Sequence, residues 1–158
     1  MLFRSNDGSA KVRYMAPSVD GQSEVIGLLQ AFADQAAIAI RNRIRPDMVF
    51  TPSSFDTHQD HKTTREETLR AFKQCTILGY EQPWNNITFN TLAFISLRER
   101  HIGKKIRALG CYETQKHRAY LSDAFIRGLA LTRGVQIEER YAEAFEVIKW
   151  VMRSSGEP

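Results

Sequence analysis

Cysteine is scarce in this sequence, with Cys75 and Cys111 far apart and outside any metal-type pairing. That excludes a disulfide framework and leaves both thiols as expected small buried hydrophobes of a reducing compartment. Long apolar runs are missing as well. Nothing approaches the roughly 18 consecutive apolar residues that a membrane-spanning helix needs, and the N-terminus lacks the basic-then-apolar order of a secretory signal. A soluble, cytoplasmic chain is the expectation. No internal repeat or low-complexity linker divides the sequence, and 158 residues with 42% hydrophobic content fill one core rather than two. A single domain over residues 1–158 is therefore expected. A preponderance of one charge sign is also absent. The net charge is +4, with only Arg41, Arg43, Arg45 and Lys104, Lys105, Arg107 forming small basic clusters. Such clusters mark solvated helix faces, and no base-stacking aromatics are interleaved with them, which argues against a nucleic-acid partner.

What is present begins with helical periodicity. Asp20-Gly21 offers an N-cap, and Ile26, Leu29, Ala33, Ala37, Ile40 and Ile44 recur at helical spacing up to Pro46, predicting a helix over Gln22 to Ile44. The residues before it, from Met1 to Ala10, show no period of either kind. A short buried strand is expected over Asp47 to Phe50, giving helix then strand, the second half of a βαβ crossover. Thr64-Arg65-Glu66-Glu67 fits a capping box for a second helix with Leu69, Phe72 and Cys75 as its apolar stripe and Gly79 just beyond its end. Further along, Phe89 to Leu97 reads as a strand, Arg98 to Leu109 as a polar helix, and Lys116 to Thr132 as a helix with Tyr120, Ala124, Phe125 and Leu129 inward. Gly134 follows at C′. Glu143 to Val151 is apolar and aromatic, and its period leaves strand or helix open.

The chemistry-bearing residues crowd into one segment, Phe50-Thr51-Pro52-Ser53-Ser54-Phe55-Asp56-Thr57-His58-Gln59-Asp60-His61. A buried strand feeding a Pro/Ser-rich loop delivers polar groups to its C-terminal edge, where open α/β sheets keep their ligands. His58 and His61 are three residues apart, so in a helical segment both rings face one cleft. A hydrolytic zinc site needs three protein ligands, an open position for water, a base and an oxyanion donor, and His58, Asp60 and His61 supply part of that set. A structural reading stands beside it: a loop holding Asp56, Thr57 and Asp60 caps the following helix while the histidines are solvated.

The segment Arg45-Pro46-Asp47-Met48-Val49-Phe50-Thr51-Pro52, then Asp56, then His58-Gln59-Asp60-His61, resembles the second signature of the LmbE-like zinc deacetylases. That family includes the N-acetylglucosaminyl-phosphatidylinositol de-N-acetylases, often called PIG-L. Its pattern is arginine-proline-aspartate, a strand ending phenylalanine-threonine-proline, then histidine-proline-aspartate-histidine, with Gln59 here in place of the last proline. Lys105-Ile106-Arg107-Ala108-Leu109, Tyr112-Glu113-Thr114-Gln115, Arg127-Gly128 and Tyr141-Ala142-Glu143-Ala144-Phe145 extend the similarity, which runs from about residue 31 to 145. The resemblance implies an α/β, Rossmann-like parallel sheet with flanking helices and N-deacetylation of an N-acetylglucosamine-like amino-sugar conjugate. It also implies Zn2+ on His61, His58 steadying the oxyanion or acting as acid, Asp60 orienting a histidine, and Gln115 meeting substrate hydroxyls.

One departure is large. The family's first signature, alanine-histidine-proline-aspartate-aspartate-glutamate, supplies further ligands and the base, and no histidine precedes His58 in this sequence. On that resemblance the chain is similar to the C-terminal two-thirds of the domain without its first strands, with zinc held weakly or not at all. The alternative expectation is a non-catalytic remnant that binds a sugar or a protein, with homo-oligomerisation open to either. His101 and His117 read as solvated surface residues, Trp84 and Trp150 as packed side chains, and Glu143 as a substrate contact or an exposed carboxylate.

Overall fold

The computed structural model describes residues 2–3 and 35–153, so the expected helix start at Gln22 and the apolar positions Ile26, Leu29 and Ala33 lie outside the described residues. In chain order the elements are β1 (Leu2–Phe3), α1 (35–44), β2 (Met48–Pro52), α2 (Gln59–Ala71), β3 (Thr76–Tyr80), β4 (Ala93–Leu97), α3 (Glu99–Gly110), α4 (Asp123–Val135) and β5 (Tyr141–Lys149). The strands follow the order β1-β2-β3-β5-β4, giving an α/β fold with a mixed sheet. The described chain forms two compact units, Met1–Phe89 with Glu146–Pro158, and Asn90–Phe145. No helix among the described residues is long and apolar enough to cross a membrane.

In the first unit, β2 and β3 pair in parallel with Met48 opposite Thr76 and Pro52 opposite Tyr80, and α2 is the crossover between them. Both strands are buried nearly throughout, as parallel strands covered on both faces must be. Strand β1 adds antiparallel to β2, with Leu2 opposite Val49, where no periodicity signalled a strand. Val49, Ala71, Phe72, Cys75 and Ile77 form the core, with Ala37, Ile38 and Ile40 of α1 packed against it. Helix α1 closes at Arg45, whose φ of 48° is left-handed, immediately before Pro46.

Helix α2 starts five residues ahead of the expected capping box. His58 is its N-cap, with Nδ1 accepting the Asp60 N–H at 3.2 Å, so Thr64 lies inside the helix and bonds Asp60 O instead. Cations close the C-terminal end of α2. Arg41 donates to Ala71 O, Lys149 to Lys73 O and Arg153 to Gln74 O, at 3.0, 2.8 and 3.0 Å, satisfying carbonyls that a helix end leaves open. Gly79 does not end a helix; it is buried within β3, which shows no period in the sequence because Thr76 to Tyr80 is short and buried on both faces.

The second unit pairs β4 antiparallel with the first half of β5, Ala93 opposite Phe145 and Leu97 opposite Tyr141. Its core joins Ile102 of α3, Ile126 and Ala130 of α4, and Tyr141. The inward face of α4 is therefore Ile126, Ala130 and Gly134, four residues apart, and Ala124 is exposed. The expected helix start at Lys116 is also corrected: two 3-10 turns precede Ser122, whose Oγ accepts the Phe125 N–H and caps α4. Gly134 falls inside α4 and not at C′. A Cβ there would lie 2.4 Å from Glu139 O, so only glycine lets the following turn return this closely. Cys111 is exposed, unlike the buried Cys75, and Trp84 and Trp150 are 43% and 58% exposed rather than packed.

Candidate functional site

Strand β2 ends at Pro52 and delivers a loop held by several independent anchors. Ser53 O accepts the Asp56 N–H at 3.1 Å, Ser53 Oγ accepts the Phe55 N–H at 3.2 Å, and Arg65 donates to Ser54 O at 2.9 Å. On the other side, the Thr57 N–H and hydroxyl both donate to Asn85 O, at 3.2 and 3.0 Å. The outcome is a buried carboxylate at Asp56, 1% exposed, with both oxygens engaged. Oδ1 accepts the His58 N–H at 2.8 Å and Oδ2 faces His61 Nδ1 at 2.7 Å.

These partners fix the two imidazoles differently. His58 Nδ1 accepts a backbone N–H, which places the ring proton of the neutral form on Nε2. His61 Nδ1 lies against a carboxylate, which keeps its proton there and leaves the Nε2 lone pair open. The Asn85 amide, at 3.5 Å from the same Nδ1, is too distant to compete. The rings lie side by side, centroids 4.6 Å apart and tilted by 35°. The neighbouring rings thus differ, one offering a donor N–H and the other an acceptor nitrogen.

The carboxylate that holds His61 is that of Asp56 and not that of Asp60. Asp60 sits exposed in the first turn of α2 and contributes its backbone N–H to the cap. The cap of α2 is the His58 ring and not the side chain of Asp56, Thr57 or Asp60, and His58 Nε2 has no partner among the described residues. Gln115 belongs to the second unit, half-buried in a 3-10 turn with its N–H on Tyr112 O at 3.0 Å. His101 is spent as a cap, accepting the Arg98 N–H at 3.1 Å, and His117 is exposed. Glu143 forms a 2.6 Å ion pair with Lys105.

A zinc centre is not assembled by the described residues. Among them no group of three His, Cys, Asp or Glu side chains is placed to hold a metal ion, whereas a hydrolytic zinc needs three protein ligands. Both Asp56 oxygens are already taken, so His61 Nε2 is the oriented nitrogen left open.

Residues that sequence reasoning missed are Asn85 and Glu146. Asn85 sits in a turn-forming stretch with no outward mark of a role. Glu146 is 7% exposed and accepts the Ser53 hydroxyl and the Ser54 N–H on one oxygen, at 2.9 and 2.7 Å.

Several solved structures share this fold. Teicoplanin deacetylase Orf2, solved in a zinc-inhibited form, superposes with a TM-score of 0.60 at 19% identity over 91% of this chain and 59% of that one. GalB, the 4-carboxy-2-hydroxymuconate hydratase of Pseudomonas putida KT2440, gives 0.64 at 17% identity over 80% and 62%. The N,N'-diacetylchitobiose deacetylase of Pyrococcus horikoshii, bound to the inhibitor MPG, gives 0.55 at 18% over 75% and 51%. The α/β fold is therefore one that this chain shares with two deacetylases and a hydratase. This chain spans less than two thirds of the length of each of these structures. No protein-family model matches the sequence, and no curated protein does. A hydratase shares the fold with the deacetylases, so fold alone does not select the reaction.

Proposed function

We propose that this chain is a deacetylase-like hydrolase that removes the acetyl group from an N-acetylated amino sugar, with His61 as the group that moves the proton and His58 as the hydrogen-bond donor to the carbonyl oxygen. The observation that carries this reading is the 2.7 Å contact between buried Asp56 and His61 Nδ1 beside the His58 ring. In the proposed reaction a water adds to the acetamide carbonyl and passes a proton to His61 Nε2, while His58 Nε2–H donates to the carbonyl oxygen as charge builds there. Asp56 stabilises the imidazolium. Breakage of the C–N bond, with the proton handed from His61 to the leaving nitrogen, gives the amine and acetate. Zinc on His61, which the family resemblance implies, would take the same Nε2 that accepts the proton here, and the described residues do not complete its ligand set, so no step is routed through it. Amino sugar as the substrate class is supported by the chitobiose and teicoplanin deacetylases among the solved structures of this fold. Asp60, and Gln115 as a contact to sugar hydroxyls, remain proposals on the family resemblance.

The incomplete ligand set favours a second reading, a sugar-binding module without turnover. Acetate release from N,N'-diacetylchitobiose, measured with and without added Zn2+, separates the two. The hydrolase reading expects release that His61→Ala lowers by at least about a hundredfold. Saturable sugar binding with no acetate under either condition overturns it in favour of the module.

A further inference from the structure

We infer that Glu146 is a positioning residue for the His61 ring, acting through the Ser53–Ser54 turn; this rests on the hydrolase reading of the same site. Glu146 lies on β5 within the first unit, directly after the buried Phe145. A carboxylate in such surroundings is costly unless its oxygens are hydrogen-bonded. One oxygen, Oε2, takes both the Ser53 hydroxyl and the Ser54 N–H. Ser53 is itself 1% exposed, and its Oγ and carbonyl accept the N–H groups of Phe55 and Asp56. The chain of contacts runs from Glu146 to Ser53, to the Asp56 backbone, and through the Asp56 carboxylate to His61 Nδ1. Every link in it is 3.1 Å or shorter.

Strand β3 makes room for this chain. A Cβ on Gly79 would come within 3.0 Å of both Glu146 Oε2 and Ser53 Cα, so the residue at that position must be the smallest one. A glycine in a strand interior weakens the strand, and here it is the feature that lets the carboxylate reach the turn. A carboxylate that merely stabilised the fold would not govern which nitrogen of His61 carries the proton. One that sets the position of Asp56 does.

The test is the ring 15N spectrum of the histidines in the full chain, recorded for wild type, Glu146→Ala, Glu146→Gln and Ser53→Ala, alongside acetate release. Wild type is expected to show His61 with its proton on Nδ1. Glu146→Ala and Ser53→Ala are expected to move His61 toward the Nε2–H form and to lower kcat about tenfold, with KM nearly unchanged, an effect of the size seen when groups orienting a histidine are lost. Glu146→Gln, whose amide oxygen accepts the same two donors, restores both. Should Glu146→Ala fail to fold, Ser53→Ala decides. Retention of the Nδ1–H form of His61 in Ser53→Ala or in a folded Glu146→Ala overturns the inference. A wild type that releases no acetate removes the hydrolase reading but leaves the spectra to judge Glu146.

Discussion

The Lys105–Glu143 pair of the second unit and the His61–Asp56 pair of the first are nearly equal in length, 2.6 and 2.7 Å, but their surroundings are opposite. Lys105 and Glu143 keep 44% and 35% of their side chains in solvent, where water screens the attraction and holding two long side chains together offsets much of the gain. Asp56 is almost wholly enclosed, and both of its oxygens are matched to donors on a braced loop. Arg127 repeats the second unit's pattern, reaching Glu99 and Asp123 at 2.6 Å each on the surface. Contact length does not distinguish the two units. What distinguishes them is how much of the pair is removed from water and how many further bonds hold it in place, and on both counts the first unit's pair is the more firmly fixed.

The largest effect that sharpens this contrast is expected at His61. Its replacement by alanine removes the open nitrogen, and acetate release should fall by about 10²–10⁴, the range for loss of a general base, with little change in melting temperature because the ring is partly exposed. Next comes Gly134→Ala in the second unit. The added methyl meets the backbone of Glu139 and Arg140, and overpacking of this kind costs about 1–3 kcal/mol, to be read as a lower denaturation midpoint with an unchanged urea slope. Equal stability in the two proteins would show that the turn after α4 yields. Asp56→Ala is expected to slow turnover by about 10 to 100-fold and also to destabilise the fold, since the His58 N–H and His61 Nδ1 both lose a partner. A stability loss with no change in rate would break the proposed link between burial and chemistry.

The smallest effect belongs to Glu99→Gln. The Arg127 hydrogen bond holds the Glu99 carboxyl below the ordinary glutamate value, so its contribution is present above that ordinary value and fades as pH falls through the lower, folded one. The difference in melting temperature between this variant and wild type should be slight at neutral pH, shrink with added salt, and vanish in strong acid. A large, salt-resistant difference would place the second unit's ion pairs on the same footing as Asp56.

Much of this was legible in the sequence. The strand before the His/Asp segment, the polar loop after it and the paired histidines followed from composition and order, because local propensity and spacing act over a few residues. The start of α2 was not, since the cap is a histidine nitrogen where a Thr/Glu capping box stood ready six residues later. Nor was the partner of His61. Asp60 is adjacent in sequence but sits exposed in the first turn of α2, while the carboxylate of Asp56 in the preceding loop meets the ring nitrogen. Strand β3 carries no period because four of its five residues are buried regardless of side, and the inward face of α4 is set by close packing at Ala130 and Gly134, which size and apolarity do not signal.

By itself the sequence determined an α/β chain with no span across a membrane among its described helices and one dense cluster of ionisable residues at the end of a buried strand. Only tertiary structure decided which of those residues act together. Asp56 and His61 meet because α2 begins at His58, and Glu146, 93 residues from Ser53, reaches the same turn because β5 runs past a glycine in β3. Contacts between residues so far apart in the chain depend on packing, which no local pattern of residues records.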